Sequence, residues 1–314
     1  MESFSSRKVG VSSVLRLSII VLHQDDDAKL ESTLLSLLEN RNEKHHEIIL
    51  VHNGSYNDPY DLSVDEVRMI HASDRNGCID QINAAVSVAR SPYVQILFPG
   101  VTVETNWCEE ALELLTSPDT VCVGNPCKVE SENRVLYGLD QSALPHRRFA
   151  QKQNHRVAPL LCGTIFRKRI LQLVGGLNSL LPREGAEVEL QLLFAAMELE
   201  SKIATVSRLS GPRRTIEGRD IGYETGRQCG QIACAFGLVE GSGVEIDSLA
   251  KQLSHLAGGL MSPKTVAERL GWVMGVRDRS LANNIRDRLI SAAERLDEAV
   301  EEERNHSSGY RRAA

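Results

Sequence analysis

No run of apolar residues approaches the ~18–20 that a bilayer-spanning helix needs. The longest near the start, Leu17 to Leu22, is of strand length. Arg16 interrupts any apolar core ahead of it and no small-residue cleavage site follows, so a secretory signal is not expected. The seven cysteines (Cys78, Cys108, Cys122, Cys127, Cys162, Cys229, Cys234) are odd in number and contain no C-x-x-C pair, which argues against a disulfide framework or a zinc site and for reduced, mostly buried thiols. Excess positive charge is also lacking. With a net charge of −6 and a pI near 5.9, the chain has no basic surplus to drive counterion release, so general nucleic-acid binding is excluded. No G-x-G-x-x-G follows the first apolar run, which disfavours a dinucleotide oxidoreductase. The expected location is the cytoplasm, with peripheral attachment at the inner face of a membrane as the alternative.

What is present is enough for one sizeable α/β domain plus an accessory segment: 314 residues, of which 42% are hydrophobic. Residues 1–14 are Ser-rich and without period, a loose leader. Short buried-type strands follow at Leu17 to Leu22, Glu47 to Val51, Val67 to Ile70 and Tyr93 to Leu97. They alternate with helical patterns, one after Asp25 to Asp27 carrying Leu30, Leu34, Leu37 and Leu38, another carrying Ile79, Ile82, Val86 and Ala89. Strands alternating with helices of this length predict βαβ units and a mostly parallel sheet. A further helix around Trp107 to Leu115, strands at Val121 to Val123 and Leu160 to Phe166, a short helix to Val174, a helix over Glu187 to Met197 and a strand at Ile203 to Val206 complete a domain spanning 15–210. Residues 130–157 lose the pattern and gather basic side chains, as a long loop or acceptor-side insertion would. The remainder, 211–314, reads as a helical extension with helices over 222–238, 246–260, 263–276 and 281–304. The last carries a stripe of Leu281, Ile285, Leu289, Ala292, Leu296 and Val300. Packing on its own domain is the expectation. Homodimerisation through these helices and membrane docking are the alternatives, the latter disfavoured by the lack of aromatics on the stripe.

Four segments together resemble the inverting family 2 glycosyltransferases. Leu17 to Asp25 is similar to the family's opening strand and base-contacting loop. Glu47-Ile48-Ile49-Leu50-Val51-His52-Asn53-Gly54-Ser55 is similar to E-I-I-V-V-D-D-G-S, with His52 and Asn53 in place of the two Asp. Asn76-Gly77 with Asn83-Ala84-Ala85 follows N-x-G-x-x-x-A-R-N-x-G, with Ile82 where the family has Arg. Cys162-Gly163-Thr164, Val174-Gly175-Gly176-Leu177 and Ala186-Glu187-Val188-Glu189-Leu190 resemble the segment ending E-D-V-D-L. The resemblance implies a GT-A fold, a nucleotide-diphosphate sugar as donor and an acceptor that is a glycan, lipid or protein. It also implies that Glu187 falls on the general base, while His23, Asp25, Asn53 and Asn76 lie on the nucleotide side. An Asn in place of an Asp still offers a donor and an acceptor to a base edge.

The departure from the family lies after Leu97. There the family's Asp-x-Asp holds a divalent cation against the diphosphate, and here Phe98 and Gly100 occupy the acidic positions. Neither can ligate a hard metal. Glu104 is the nearest acid and is expected to face solvent or a loop, and Ser207 to Glu217 contains no His ligand. The site is therefore expected to be metal-free. Arg213 and Arg214 are the cations expected to offset the diphosphate, an ordinary solvated basic pair being the other outcome. Arg167-Lys168-Arg169 is expected to be a surface face. A binding or scaffolding protein that keeps the fold without turnover is the rival to the enzyme.

Overall fold

The computed structural model describes residues 16–23, 26–41, 45–54, 56, 58–59, 61–62, 66–72, 77–132, 134–150, 152–153, 157–206, 208–218, 222–238 and 263–312. The expected leader and the helix over 246–260 lie outside the described residues. The described strands are β1 (Leu17–Leu22), β2 (His46–His52), β3 (Arg68–His71), β4 (Tyr93–Leu97), β5 (Thr102–Val103), β6 (Thr120–Gly124), β7 (Cys127–Val129), β8 (Arg134–Leu136), β9 (Gly138–Asp140), β10 (Phe149–Ala150), β11 (Val157–Ala158), β12 (Ile165–Arg167), β13 (Glu200–Ile203) and β14 (Leu209–Gly211). The described helices are α1 (Asp27–Asn40), α2 (Cys78–Val88), α3 (Glu109–Leu114), α4 (Lys168–Leu173), α5 (Arg183–Ala196), α6 (Arg213–Glu217), α7 (Tyr223–Ala235), α8 (Pro263–Arg277) and α9 (Arg279–Arg312).

The main sheet has the order β13-β6-β12-β4-β1-β2-β3. Its pairs are parallel except those of β12, which runs antiparallel to both β4 and β6. β1 is buried at every position, which is why its sequence is nearly all apolar rather than alternating, its one polar residue, Ser18, donating to Glu47. The chain enters at β1, proceeds outward to β2 and β3, then returns to lay β4 on β1's other side. That reversal is a topological switch point at the C-terminal ends of β1 and β4, where open α/β sheets take their ligands.

Polar groups inside the sheet are paired. Gln95, fully buried on β4, donates to Gly163 O (3.0 Å) and accepts from Trp107 Nε1 (2.9 Å). Asp26 caps α1 by accepting from Lys29 N (3.1 Å). Arg167 is not on a solvated face: it donates to Thr120 O (2.7 Å) and Ser117 O (2.6 Å) and lies over the Tyr93 ring, tying strand ends to the loop before β6. Five of the seven cysteines are buried.

At the opposite edge His46 opens β2, buried against Cys108 and the edge of Trp107. Burial, reinforced by the charges of His45, Arg16 and Arg41, lowers its pKa from 6.5 to about 4. A depressed folded-state value means that the unfolded chain takes up the proton first. Stability from this group is complete above about pH 6.5 and is lost as pH falls towards 4. The urea midpoint is therefore expected to drop between pH 7 and pH 5, and His46→Phe is expected to flatten that drop; an unchanged slope would contradict it.

One difference from expectation concerns the second half, where the packing of the last helix follows expectation. The stretch 130–157 is not a plain loop: β9 pairs with β10 and β11, and β8 joins the four-stranded sheet β5-β14-β7-β8. Strands of two or three residues carry no readable period. The apolar stripe of α9 continues the domain's own core, with Ala282, Ile285 and Ala292 buried and Leu281, Leu289 and Leu296 packed against it, while Val300 is exposed. Arg288 of α9 fastens this helix by donating to the buried Glu189 of α5 (3.0 Å). Helices α7 and α8 meet through Gly226 and Gly230 on one and Gly271 and Gly275 on the other, so closely that a Cβ at 226, 271 or 275 would lie 1.9 Å from a backbone carbonyl oxygen of the facing helix.

Candidate functional site

The C-terminal edge of the first strands is a row of rings. His23 follows β1, His52 ends β2 and His71 ends β3, opposite His52 in the strand register. His23 is buried, holds Asp27 Oδ1 at 2.8 Å and tilts against the Tyr56 ring at 5.4 Å. The rings of His52 and His71 meet edge-on at 5.8 Å. Gly54 N donates to His52 Nδ1 (3.2 Å), and His71 Nε2 lies 3.1 Å from the Asn53 carbonyl oxygen, so the turn is held from both sides. The pKa of His52 is lowered, first by burial and then by the neighbouring His71 and His23, which favours the neutral ring. Neutral imidazoles and an Asn can donate and accept towards a heterocyclic base. Of the nucleotide-side residues expected from sequence, His23 and Asn53 lie on this edge; Asp25 and Asn76 lie outside the described residues.

The turn after β4 is tightly bound. Gly100 N donates to Lys29 O (3.0 Å) and Thr33 Oγ1 (2.9 Å), and its φ of +91° suits glycine. Phe98 is completely buried, with the Arg183 guanidinium 3.6 Å above its ring. A Cβ on Gly100 would touch the Lys29 stem and the Pro212 ring at 3.3 Å, so Arg213 and Arg214 follow directly on a neighbour of the turn. Glu104 is exposed, as expected. Arg213, however, is occupied: its Nε donates to Glu217 Oε2 (2.9 Å) and its Nη1 to Glu132 Oε1 (3.1 Å).

Glu187 sits on the first turns of α5, 1% exposed. One carboxylate oxygen accepts from both Nε (3.1 Å) and Nη2 of Arg147, itself 3% exposed; the other accepts from Leu161 N (2.7 Å). Arg147 in turn donates to Glu217 O (2.8 Å) and lies over Phe149. The segment 141–150 is therefore anchored to the buried carboxylate, and it reaches α8 by stacking His146 on Trp272 at 4.4 Å. Sequence reasoning passed over Arg147, Arg183, His71 and Tyr56. Only His71 had a local signal, as the polar residue closing an apolar strand run.

Residues 18–172 match the family model described as Glycosyl transferase family 2. Over these residues the chain is family 2 glycosyltransferase-like. The family implies the GT-A fold, and the mixed, mostly parallel sheet flanked by helices agrees with it. It also implies a nucleotide-sugar donor and an acceptor. No curated protein matches the chain. The match runs from β1 to α4 and stops short of α5, so the assignment of Glu187 rests on the local likeness of 186–190 alone. Among the described residues of this glycosyltransferase-like protein, no helix is long and apolar enough to cross a membrane.

The residues at the turn do not fit the divalent cation that the fold family implies. Phe98 and Gly100 offer no side-chain oxygen, and a hard cation needs several. Among the described residues, the one group with three closely placed candidate ligand atoms is His46, Cys108 and Glu109. It lies at the opposite edge, where β2 begins.

Proposed function

We propose that this protein binds a nucleoside-diphosphate sugar across the C-terminal ends of β4, β1, β2 and β3 and transfers the sugar, with inversion, to an acceptor hydroxyl. The base would lie among His23, Tyr56, His52, Asn53 and His71, and the diphosphate over the Phe98 turn. In the transfer the acceptor oxygen forms the new bond to the anomeric carbon, its proton passes to Glu187, and the old carbon–oxygen bond breaks with its electron pair left on the diphosphate. Glu187 is already the acceptor of three N–H bonds, so this step requires Arg147 to move aside as the acceptor enters. The observation that supports the reading most is the ring-lined edge at the sheet's switch point, on a fold whose family uses nucleotide sugars.

The ion pair on Glu187 also favours a second reading, a binding or scaffolding module without turnover. A panel of nucleotide sugars separates them. Donor binding is expected to raise the melting temperature. Release of nucleoside diphosphate would then mark the enzyme, and stabilisation without release the module. If no nucleotide sugar shifts the melting temperature at saturating concentration, donor binding itself is refuted.

A further inference from the structure

What meets the turn after β4 is positive charge. We propose that Arg183, stacked on Phe98 beside the sheet's switch point between β1 and β4, is the fixed cation that binds the donor's diphosphate in place of a divalent metal. The proposal rests on the donor-binding reading above and adds to it the group that receives the phosphates.

The first argument is charge matching. Around the turn, Lys29 pairs with Asp26 at 2.6 Å, Arg147 with Glu187, and Arg134 and Arg213 with Glu217 and Glu132. Each of those acids is thereby already matched to another cation. Arg183 has no carboxylate partner among the described residues: its Nη2 donates to Ile216 O (3.0 Å), and its Nε is buried with no hydrogen-bond partner. A guanidinium with no carboxylate to neutralise it, at the switch point of an open sheet, points to an anion that arrives from outside.

The second argument is preorganisation. The aromatic face fixes the plane of the guanidinium, so little freedom is lost when its fork meets two phosphate oxygens. Arg183 is also the first residue of the 14-residue α5, so the positive end of the helix dipole acts in the same direction. Glu187 lies one helical turn further on the same face, which sets the proton acceptor next to the leaving group. Negative charge grows on the phosphate as the sugar departs, and a cation already in position needs no reorganisation to meet it. Phe98, which is unintelligible as a metal ligand, becomes the platform for this arginine.

The test uses the full chain and titration calorimetry with UDP, GDP and inorganic pyrophosphate, first in EDTA and then with Mn²⁺. At least one of these probes is expected to bind in EDTA, with affinity unchanged by Mn²⁺. Arg183→Ala and Arg183→Gln are expected to weaken that binding by about 10- to 100-fold, the scale of lost hydrogen bonds to a charged group. Arg183→Lys should fall between, since it keeps the charge but not the planar fork. Uridine and guanosine binding should stay as in the unaltered protein, and unliganded melting curves show that each variant folds. Binding that requires Mn²⁺, or a folded Arg183→Gln protein that binds like the unaltered one, would overturn the role of Arg183 while leaving donor binding intact. If no nucleoside, nucleotide or pyrophosphate binds, donor recognition fails and this inference with it.

Discussion

Glu187→Ala is expected to destabilise the protein by about 3–5 kcal/mol, because it strands the Arg147 guanidinium in the interior without its anion. Arg147 is 3% exposed, and its guanidinium otherwise donates to a carbonyl oxygen and lies over an aromatic ring, neither of which neutralises a full charge. Leu161 N would lose its acceptor as well, adding an orphaned donor. Removing both ends together, as Arg147→Met with Glu187→Leu, should recover most of the loss, since well-packed apolar pairs often replace buried ion pairs without penalty. Urea unfolding of the two single variants and the double variant gives the coupling energy directly. A Glu187→Ala cost under about 1 kcal/mol would mean that the pair is solvated, contrary to the burial on which this expectation rests. The same series informs the chemistry. If Glu187 takes the acceptor's proton, Glu187→Gln should abolish transfer while leaving nucleotide binding unchanged, whereas a purely structural carboxylate would leave transfer in place in the folded Gln variant.

Gly271→Val is expected to produce the other large effect, a loss of several kcal/mol or outright detachment of α8 from α7. A Cβ at 271 would sit 1.9 Å from Tyr223 O, and the carbonyl carbon of Tyr223 lies only 2.8 Å away. Backbone cannot turn aside as a side chain can, so the two helices must separate along their length. Helix propensity acts the other way, because glycine within a helix is worse than alanine by about 1 kcal/mol. Gly271→Ala therefore sets a sharper question, in which the clash, costing about 1–3 kcal/mol, should outweigh the gained propensity. Gly230→Ala, with its Cβ 2.4 Å from Trp272 O, should be destabilising by the same logic. If either alanine variant raises the denaturation midpoint, the close helix crossing is wrong. Detachment would also release His146 from Trp272 and so loosen the segment that carries Arg147. The helical extension would then govern the site from a distance.

The strands that place the site were legible because each is a short, mostly apolar run, with a histidine closing β1 and β2. Burial on both faces removes alternation and leaves this signature in β1, β2 and β4. The start of α5 was missed by one turn, since Pro182 and Gly185 weaken the helical pattern although proline is well placed just before a helix. The small strands between 134 and 158 were unreadable for a different reason. They exist only through their pairing with one another, which no local period encodes. Arg213 and Arg214 stood out as an adjacent basic pair beside the last strand, yet sequence offered no means of seeing that Glu132 and Glu217 already occupy Arg213.

The sequence by itself determined the order of the longer strands and helices, the family resemblance, and the absence of acids at the turn after β4. These are properties of neighbouring residues, and hydrophobic period and short motifs report them. Tertiary structure alone decided which charges meet. Arg147 reaches Glu187 and Arg183 reaches Phe98 only after the sheet has closed between them, and ion pairing and stacking depend on separations of a few ångströms that distance along the chain does not constrain.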